Sequence, residues 1–258
     1  MKSLRQKNII AMLEQDMIVN TAELATHFDV SIETIRRDLD QLEKQGILKK
    51  TYGGAELKTQ PHIWPAPLKK RMESFRDSKA AIAARAATYI PDNTTVALDA
   101  GTTILELCQF LNEKSNMIFI SSDIHSSSEL LASNSNKVYM MGGFLTPDGT
   151  SSGSYAKEFL SSISDIDLFF TATDGASPED GLSTDEANIN ELKKRYIKKA
   201  KKVIALVDHS KVFRKGFYRL CDFSEIDVMI TDSETPPEIV ATLRRMGTTV
   251  DVVDLHNG

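Results

Sequence analysis

Residues 31–55, SIETIRRDLDQLEKQGILKKTYGGA, decide the fold of the amino-terminal part of the chain. Ser31 offers a hydroxyl N-cap to a helix in which Ile32, Ile35, Leu39 and Leu42 form one apolar stripe. Glu33, Arg37, Asp40 and Gln41 fall opposite that stripe, with Thr34 and Arg36 towards its flanks, so all can face a partner. Gly46 ends the helix. The following ILKKTYGGAEL reads as two short strands turning at Gly53 and Gly54.

Upstream, Asn20 and Glu23 have the form of a capping box, opening a short helix with Ala22, Leu24, Ala25 and Phe28 on its apolar face. Asp29 and Val30 connect it tightly to the next helix, and an earlier helix carries Ile9, Ile10 and Leu13. Three short helices and a small hairpin make a winged helix-turn-helix over residues 3–58, with the helix-turn-helix itself at about 20–39. Such a fold leads the first turns of its third helix into the major groove of double-stranded DNA. Arg36 and Arg37 are the natural anchors, Ser31 and Thr34 can hold the backbone, and Glu33 shares their face. Lys49, Lys50 and Tyr52 would act likewise from the wing. An arginine pair alone reads better as a solvated face paired with Glu33, Asp40 and Glu43. The capped helix, the helix before it and the wing together point to DNA.

Bulk charge does not. The 258-residue chain has a net charge of −5, so a DNA argument rests on where charges point rather than on their sum. Cys108 and Cys221 sit apart in apolar surroundings without CxxC spacing, which excludes a disulfide framework or structural zinc. His125 and His209 lack metal-ligand spacing, and no cofactor is expected. No stretch approaches the roughly 20 apolar residues that span a bilayer. A cytoplasmic protein without membrane contact is the expectation.

Residues 59–76 hold three prolines, the only tryptophan (Trp64) and the basic run Lys69, Lys70, Arg71, and read as a linker. From residue 77 to 258 apolar strands alternate with amphipathic helices, the pattern of a largely parallel sheet covered on both faces. Ligands of such sheets bind beyond the carboxyl ends of the strands. LDAGTTI, residues 98–104, runs from strand through Gly101 into a helix, placing Asp99, Thr102, Thr103 and free amides where a phosphate can sit. Further strands end in Ser122–Asp123, Gly142–Gly143, Asp174–Gly175 and the VDHSK stretch that carries Lys211, and together they outline a polar pocket. Lys211 is the sharpest candidate for meeting a phosphate or sugar oxygen near Asp99 or Asp174. Lys193 is a secondary candidate, in a basic cluster that reads mostly as a solvated face.

The stretch VNTAELATHFDVSIETIRRDLDQLEKQGILKKTYGGA, with its TIRRDL core and closing YGGA, resembles the amino-terminal domain of the DeoR family of bacterial transcriptional regulators. The resemblance continues through DAGTT at 99–103, MGG at 141–143, DGA at 174–176, GLST at 181–184, ELKK at 191–194 and DHSK at 208–211. It implies an α/β fold: a winged helix-turn-helix plus an α/β sensor domain akin to ribose-5-phosphate isomerase-like sugar-phosphate enzymes. It also implies a repressor of a carbohydrate-utilisation operon, controlled by a phosphorylated sugar, and because one small winged domain contacts few bases a homo-oligomer, dimer or tetramer, is expected. SSD at 121–123, where Thr-Asn is common, and His209 within DHSK depart from the family pattern and bear on effector identity. The rival class is a sugar-phosphate isomerase with an appended DNA-binding domain. Such an enzyme needs a positioned acid and base, and Ser177 stands where the isomerases' DGA motif is followed by another carboxylate.

Overall fold

Asn20 caps the second helix through its side-chain oxygen, which accepts from the amides of Ala22 and Glu23, and Ser31 caps the third by accepting from Thr34. These caps sit inside a computed structural model that describes residues 4–16, 18–45, 47–51, 53–57, 67–132 and 135–255. The chain divides into two compact units, residues 1–65 and 66–258.

The first unit runs α1 (Leu4–Asp16), β1 (Ile18–Asn20), α2 (Thr21–His27), α3 (Ile32–Lys44), β2 (Leu48–Thr51) and β3 (Gly54–Leu57). Asp29 takes the left-handed conformation at φ 50° and the Val30 amide bonds to the Ala25 carbonyl at 3.0 Å, which makes the α2–α3 turn tight. The wing pairs Lys49 with Glu56 and Lys50 with Ala55. Its second strand β3 is central and also pairs with β1, where a side chain at Gly54 would stand 2.0 Å from the Val19 carbonyl oxygen. Only glycine fits that approach. Ile9, Leu13, Leu24, Ile35, Leu39, Leu42 and Leu48 form the core. Two residues expected on apolar faces lie outside it: Ala22 is exposed, and Ile32 is 45 % exposed. Both occupy the first turn of their helices. Asp38 instead turns inward, held by Arg5 and by the Gln6 amide at 3.0 Å. Gly46, Tyr52 and Trp64 lie outside the described residues.

In the second unit, α4 (Leu68–Glu73) occupies part of the stretch read as a linker, and α5 (Arg76–Ala87) follows. Then come β4 (Thr95–Leu98), α6 (Thr102–Gln109), β5 (Ile118–Ser121), α7 (Ile124–Leu130), β6 (Lys137–Met140), β7 (Phe144–Leu145), β8 (Ser151–Ser152), α8 (Ser154–Ser162) and β9 (Ile166–Thr171). The remainder is β10 (Gly175–Ser177), β11 (Gly181–Thr184), α9 (Ala187–Lys199), β12 (Ala200–Leu206), β13 (Tyr218–Cys221), β14 (Val228–Asp232), α10 (Pro237–Arg245) and β15 (Thr249–Val253). Seven strands form the expected parallel sheet, in the order β15-β14-β12-β9-β4-β5-β6. Alternate residues of each strand feed opposite cores: Val96 and Leu98 pack with Ile82, Ile104 and Leu107, whereas Ala97 packs on the side of Leu160, Leu192 and Leu243. The chain winds outward from β4 to β6, then returns to β9 on the other side of β4. That reversal is a topological switch point, the crevice where ligands of open α/β sheets bind. Two short antiparallel sheets, β10-β11-β13 and β7-β8, are added.

Candidate functional site

The recognition helix presents its acidic and basic residues as anticipated. Glu33, Arg36 and Arg37 are exposed, and Arg37 Nε lies 3.8 Å from Glu33 Oε1. Such an exposed pair contributes little to stability, which leaves the guanidinium available to another acceptor. Ser31 Oγ and Thr34 Oγ1 are 2.8 Å apart at the helix start. The wing lysines are more engaged. Lys49 meets Glu56 at 3.3 Å, and Lys50 reaches Asp40 on α3 while its amide donates to Glu43 at 2.8 Å. The Lys50 hydrogen bond, followed by its charge, lowers the Asp40 pKa. Lys50 therefore ties the wing to the recognition helix.

At the carboxyl end of β4, Asp99 is buried, and its Oδ2 lies 2.7 Å from Lys193 Nζ and 3.0 Å from both the Thr171 hydroxyl and the Ala172 amide. The Ala100 amide donates to Oδ1 at 2.8 Å, and Lys193 also donates to the Ala172 carbonyl at 2.9 Å. Lys193 is thus not on the solvated face expected of its cluster. It bridges β4 and β9 at the switch point, because α9 turns residues 192, 193, 196 and 197 inward. Glu191 stays on the surface with Lys157 and Arg195. Gly101 caps α6 at φ 152°, beside a buried Thr103.

Lys211 closes a short 3-10 turn, His209–Lys211, whose cap Asp208 accepts from the Ser210 amide at 3.0 Å. Burial lowers the Lys211 pKa; Asp208 and Asp174 oppose this, while Arg214 and Arg71 add to it. Lys79 on α5 is buried too, and its pKa falls to about 8 through burial, opposed by Asp208 and reinforced by Lys211 and Arg71. Its ammonium donates to the carbonyls of Arg71 and Ser74 at the end of α4. Four cations from three segments therefore share one neighbourhood, and burial is the largest cause that lowers the pKa of two of them. A dianion placed among them would raise both lysine pKa values and relieve the repulsion. Arg71 is also held by Asp148 at 2.5 Å. Neither Lys79, Arg71 nor Arg214 is visible as a site residue in the sequence: Arg71 belongs to a basic run among prolines, and Lys79 lies inside an alanine-rich helix.

The other expected pocket residues divide. Asp174 lies within the electrostatic reach of Lys211, and its Oδ2 accepts from the Asp185 amide at 3.0 Å. Burial and then the Asp174 charge raise the Asp185 pKa. Gly175 packs so closely on the segment after Lys211 that a side chain would come within 2.4 Å of the Arg214 carbonyl oxygen. Asp123 caps α7 through Ser126, the Ser122 carbonyl accepts from Ser151 at 2.6 Å, and Gly142 and Gly143 are exposed. A separate apolar cavity of about 360 Å³ lies at the amino ends of β4 and β5, lined by Ile118, Tyr139, Phe159 and Ile163. It lies at the opposite ends of the parallel strands from Asp99 and Lys211.

His209 braces the Lys211 turn. Its Nδ1 lies 2.9 Å from the buried Asp232, its Nε2 3.1 Å from Glu234, and Phe75 packs edge-on against the ring. Each carboxylate takes a different ring nitrogen, which suits an imidazolium better than a metal ligand. Burial lowers the His209 pKa, but the Asp232 hydrogen bond and charge, with Glu234 and Asp208, outweigh it and leave the value raised. A raised folded pKa contributes stability that is complete below the unfolded value, about 6.5, and is lost as pH climbs through the folded one. The melting-temperature advantage of the native chain over His209→Gln should therefore shrink as pH rises above about 6.5. An advantage independent of pH would contradict this.

Comparison with known proteins agrees with this division of labour. Residues 5–61 match the model of the DeoR-like helix-turn-helix domain and residues 74–233 that of the DeoR C terminal sensor domain. The regulator GolR of Listeria innocua is 32% identical over 97% of this chain and 98% of its own length. The repressor GlcR of Bacillus subtilis is 32% identical over 97% and 96%, and the glycerol-3-phosphate regulon repressor of Escherichia coli 28% identical over 93% and 94%. Among solved structures, ribose-5-phosphate isomerase of Methanocaldococcus jannaschii overlaps with a TM-score of 0.40 at 17% identity, over 54% of this chain and 55% of that one. The two family matches and these relatives define a DNA-binding transcriptional regulator. The chain belongs to the DeoR family.

Proposed function

We propose that the protein represses a carbohydrate-utilisation operon and releases its operator when a phosphorylated sugar binds beyond the carboxyl ends of β4, β9 and β12. The observation that carries the reading is the cluster of Arg71, Lys79, Lys211 and Arg214, in which both lysines have depressed pKa values. A dianionic ligand is the partner that such a cluster favours. Relatives named as repressors, one of them of the glycerol-3-phosphate regulon, support the same reading. A thermal-shift screen of sugar phosphates tests it, because a ligand bound at 100 times its Kd adds about 2.7 kcal/mol to native stability. No shift with any pentose, hexose or triose phosphate would count against the sensor.

On the DNA side, Arg36 and Arg37 are the proposed anchors, with Ser31, Thr34 and Glu33 beside them. Arg37→Ala is expected to weaken operator binding about 5- to 150-fold at fixed salt, the worth of a good bidentate contact. Because its side chain is 76% exposed, the melting temperature should stay unchanged. We also infer a cytoplasmic homo-oligomer, since one small winged unit reads few bases and symmetric copies multiply the contacts. Exposed Phe144, Tyr155 and Phe217 on the second unit support self-association, and light scattering would measure it.

A further inference from the structure

Ile32 is out of place for a core residue. It opens α3, where the periodicity of Ile35, Leu39 and Leu42 assigns it to the buried stripe, yet it is 45 % exposed while those three are fully buried. Among the described residues it is the one exposed large apolar side chain of the first unit. Its neighbours on the helix surface are informative. At about 100° per residue, Ile32, Arg36, Glu33 and Arg37 follow one another across an arc of about 140°. The arc begins beside the core and ends on the face opposite it. All four lie in the first two turns, the part of a recognition helix that enters the major groove. Three of them can hydrogen-bond to bases or phosphates, and the fourth offers only methyl and methylene groups.

The major groove has one apolar feature that matches such a group, the C5-methyl of thymine. We propose that Ile32 reads a thymine by packing on its methyl group, so that each DNA-binding unit requires a T·A pair at one position. The proposal rests on the reading of α3 as the recognition helix and adds to it a base identity. Exposure of Ile32 in the free protein then has a reason: its covering surface is supplied by the operator.

The test uses the full-length chain. A preferred duplex is selected from a random library, and each thymine of the selected site is replaced in turn by deoxyuridine, which lacks only the methyl group. For the native protein, one such replacement per half-site should weaken binding about four-fold, the worth of one buried methyl group. Ile32→Ala should bind the thymine and deoxyuridine duplexes equally, and Ile32→Val should retain most of the discrimination. Arg37→Ala should bind both more weakly yet keep the four-fold ratio. A deoxyuridine penalty that persists in Ile32→Ala, or a native protein indifferent to every thymine methyl, overturns the proposal while leaving α3 as the reader. Failure to select any sequence would instead overturn the recognition-helix reading and this proposal with it.

Discussion

Replacing Lys193 with methionine is expected to destabilise the second unit by about 3 kcal/mol, the lower end of the range for breaking a buried ion pair. Methionine keeps the apolar stem but removes the ammonium that lies 2.7 Å from Asp99. The carboxylate would then stay buried without its counter-charge. It would still receive the Thr171 hydroxyl and the amides of Ala100 and Ala172, which is why the upper end of the range is not expected. For a unit of this size the melting temperature should fall on the order of 10 °C. Asp99→Asn combined with Lys193→Met should recover part of the loss, because the pair is then neutral on both sides. A fall of under 1 °C in the single variant would mean that the pair is not what joins β4 to β9. The same reasoning changes how Asp99 acts. With both oxygens occupied by protein donors, it sets the shape of the switch-point crevice from below rather than offering a free acceptor to a ligand.

Lys211→Met should have the opposite signature. Loss of a charge-assisted contact to phosphate costs about 1.5–3 kcal/mol, so calorimetry should record a sugar phosphate binding roughly 10- to 150-fold more weakly. The ligand-free protein should not lose stability, since burial above all, and then Arg214 and Arg71, lower the Lys211 pKa. Removing one of four neighbouring cations relaxes the others, and the Lys79 pKa should rise from about 8. Sites built for ligands commonly trade stability for function in this way. If the variant were markedly less stable and bound the sugar phosphate as tightly as the native chain, Lys211 would be a structural cation and the pocket would lie elsewhere. An unphosphorylated sugar should bind both proteins poorly, because it brings no dianion to the cluster.

Much of this was legible before any coordinates. Caps at Asn20 and Ser31, the Leu39–Leu42 stripe and the β-turn glycines act over a few residues, so sequence spacing reveals them. The strands of the parallel sheet read equally well, since a sheet covered on both faces needs continuous apolar runs, although the edge strand β6 is largely exposed. Four features were hidden. Ile32 obeys the helical period but is exposed in the first turn of α3, and period alone does not show where burial begins. Lys193 sits among Lys194 and Arg195 in a run that looks solvated, and only the direction of α9 turns it inward to Asp99. Arg71 and Lys79 reach Lys211 across more than a hundred residues of chain, through the fold of α4 and α5 against the sheet. The strands β7, β8 and β10 are two or three residues long, too short to show a period.

A single chain is expected to couple a sugar phosphate to an operator. By linkage, an effector that alters operator affinity by a given factor has its own affinity altered by the same factor, typically about 5 to 150. The direct measurement is an operator-binding isotherm at fixed salt, repeated with saturating sugar phosphate, for the native chain and for Lys211→Met. One sugar phosphate should weaken operator binding by the native chain within that range. The same concentration should leave Lys211→Met bound as tightly as without it. Identical isotherms for the native chain under every sugar phosphate, or a Lys211→Met response with the native midpoint, would contradict it.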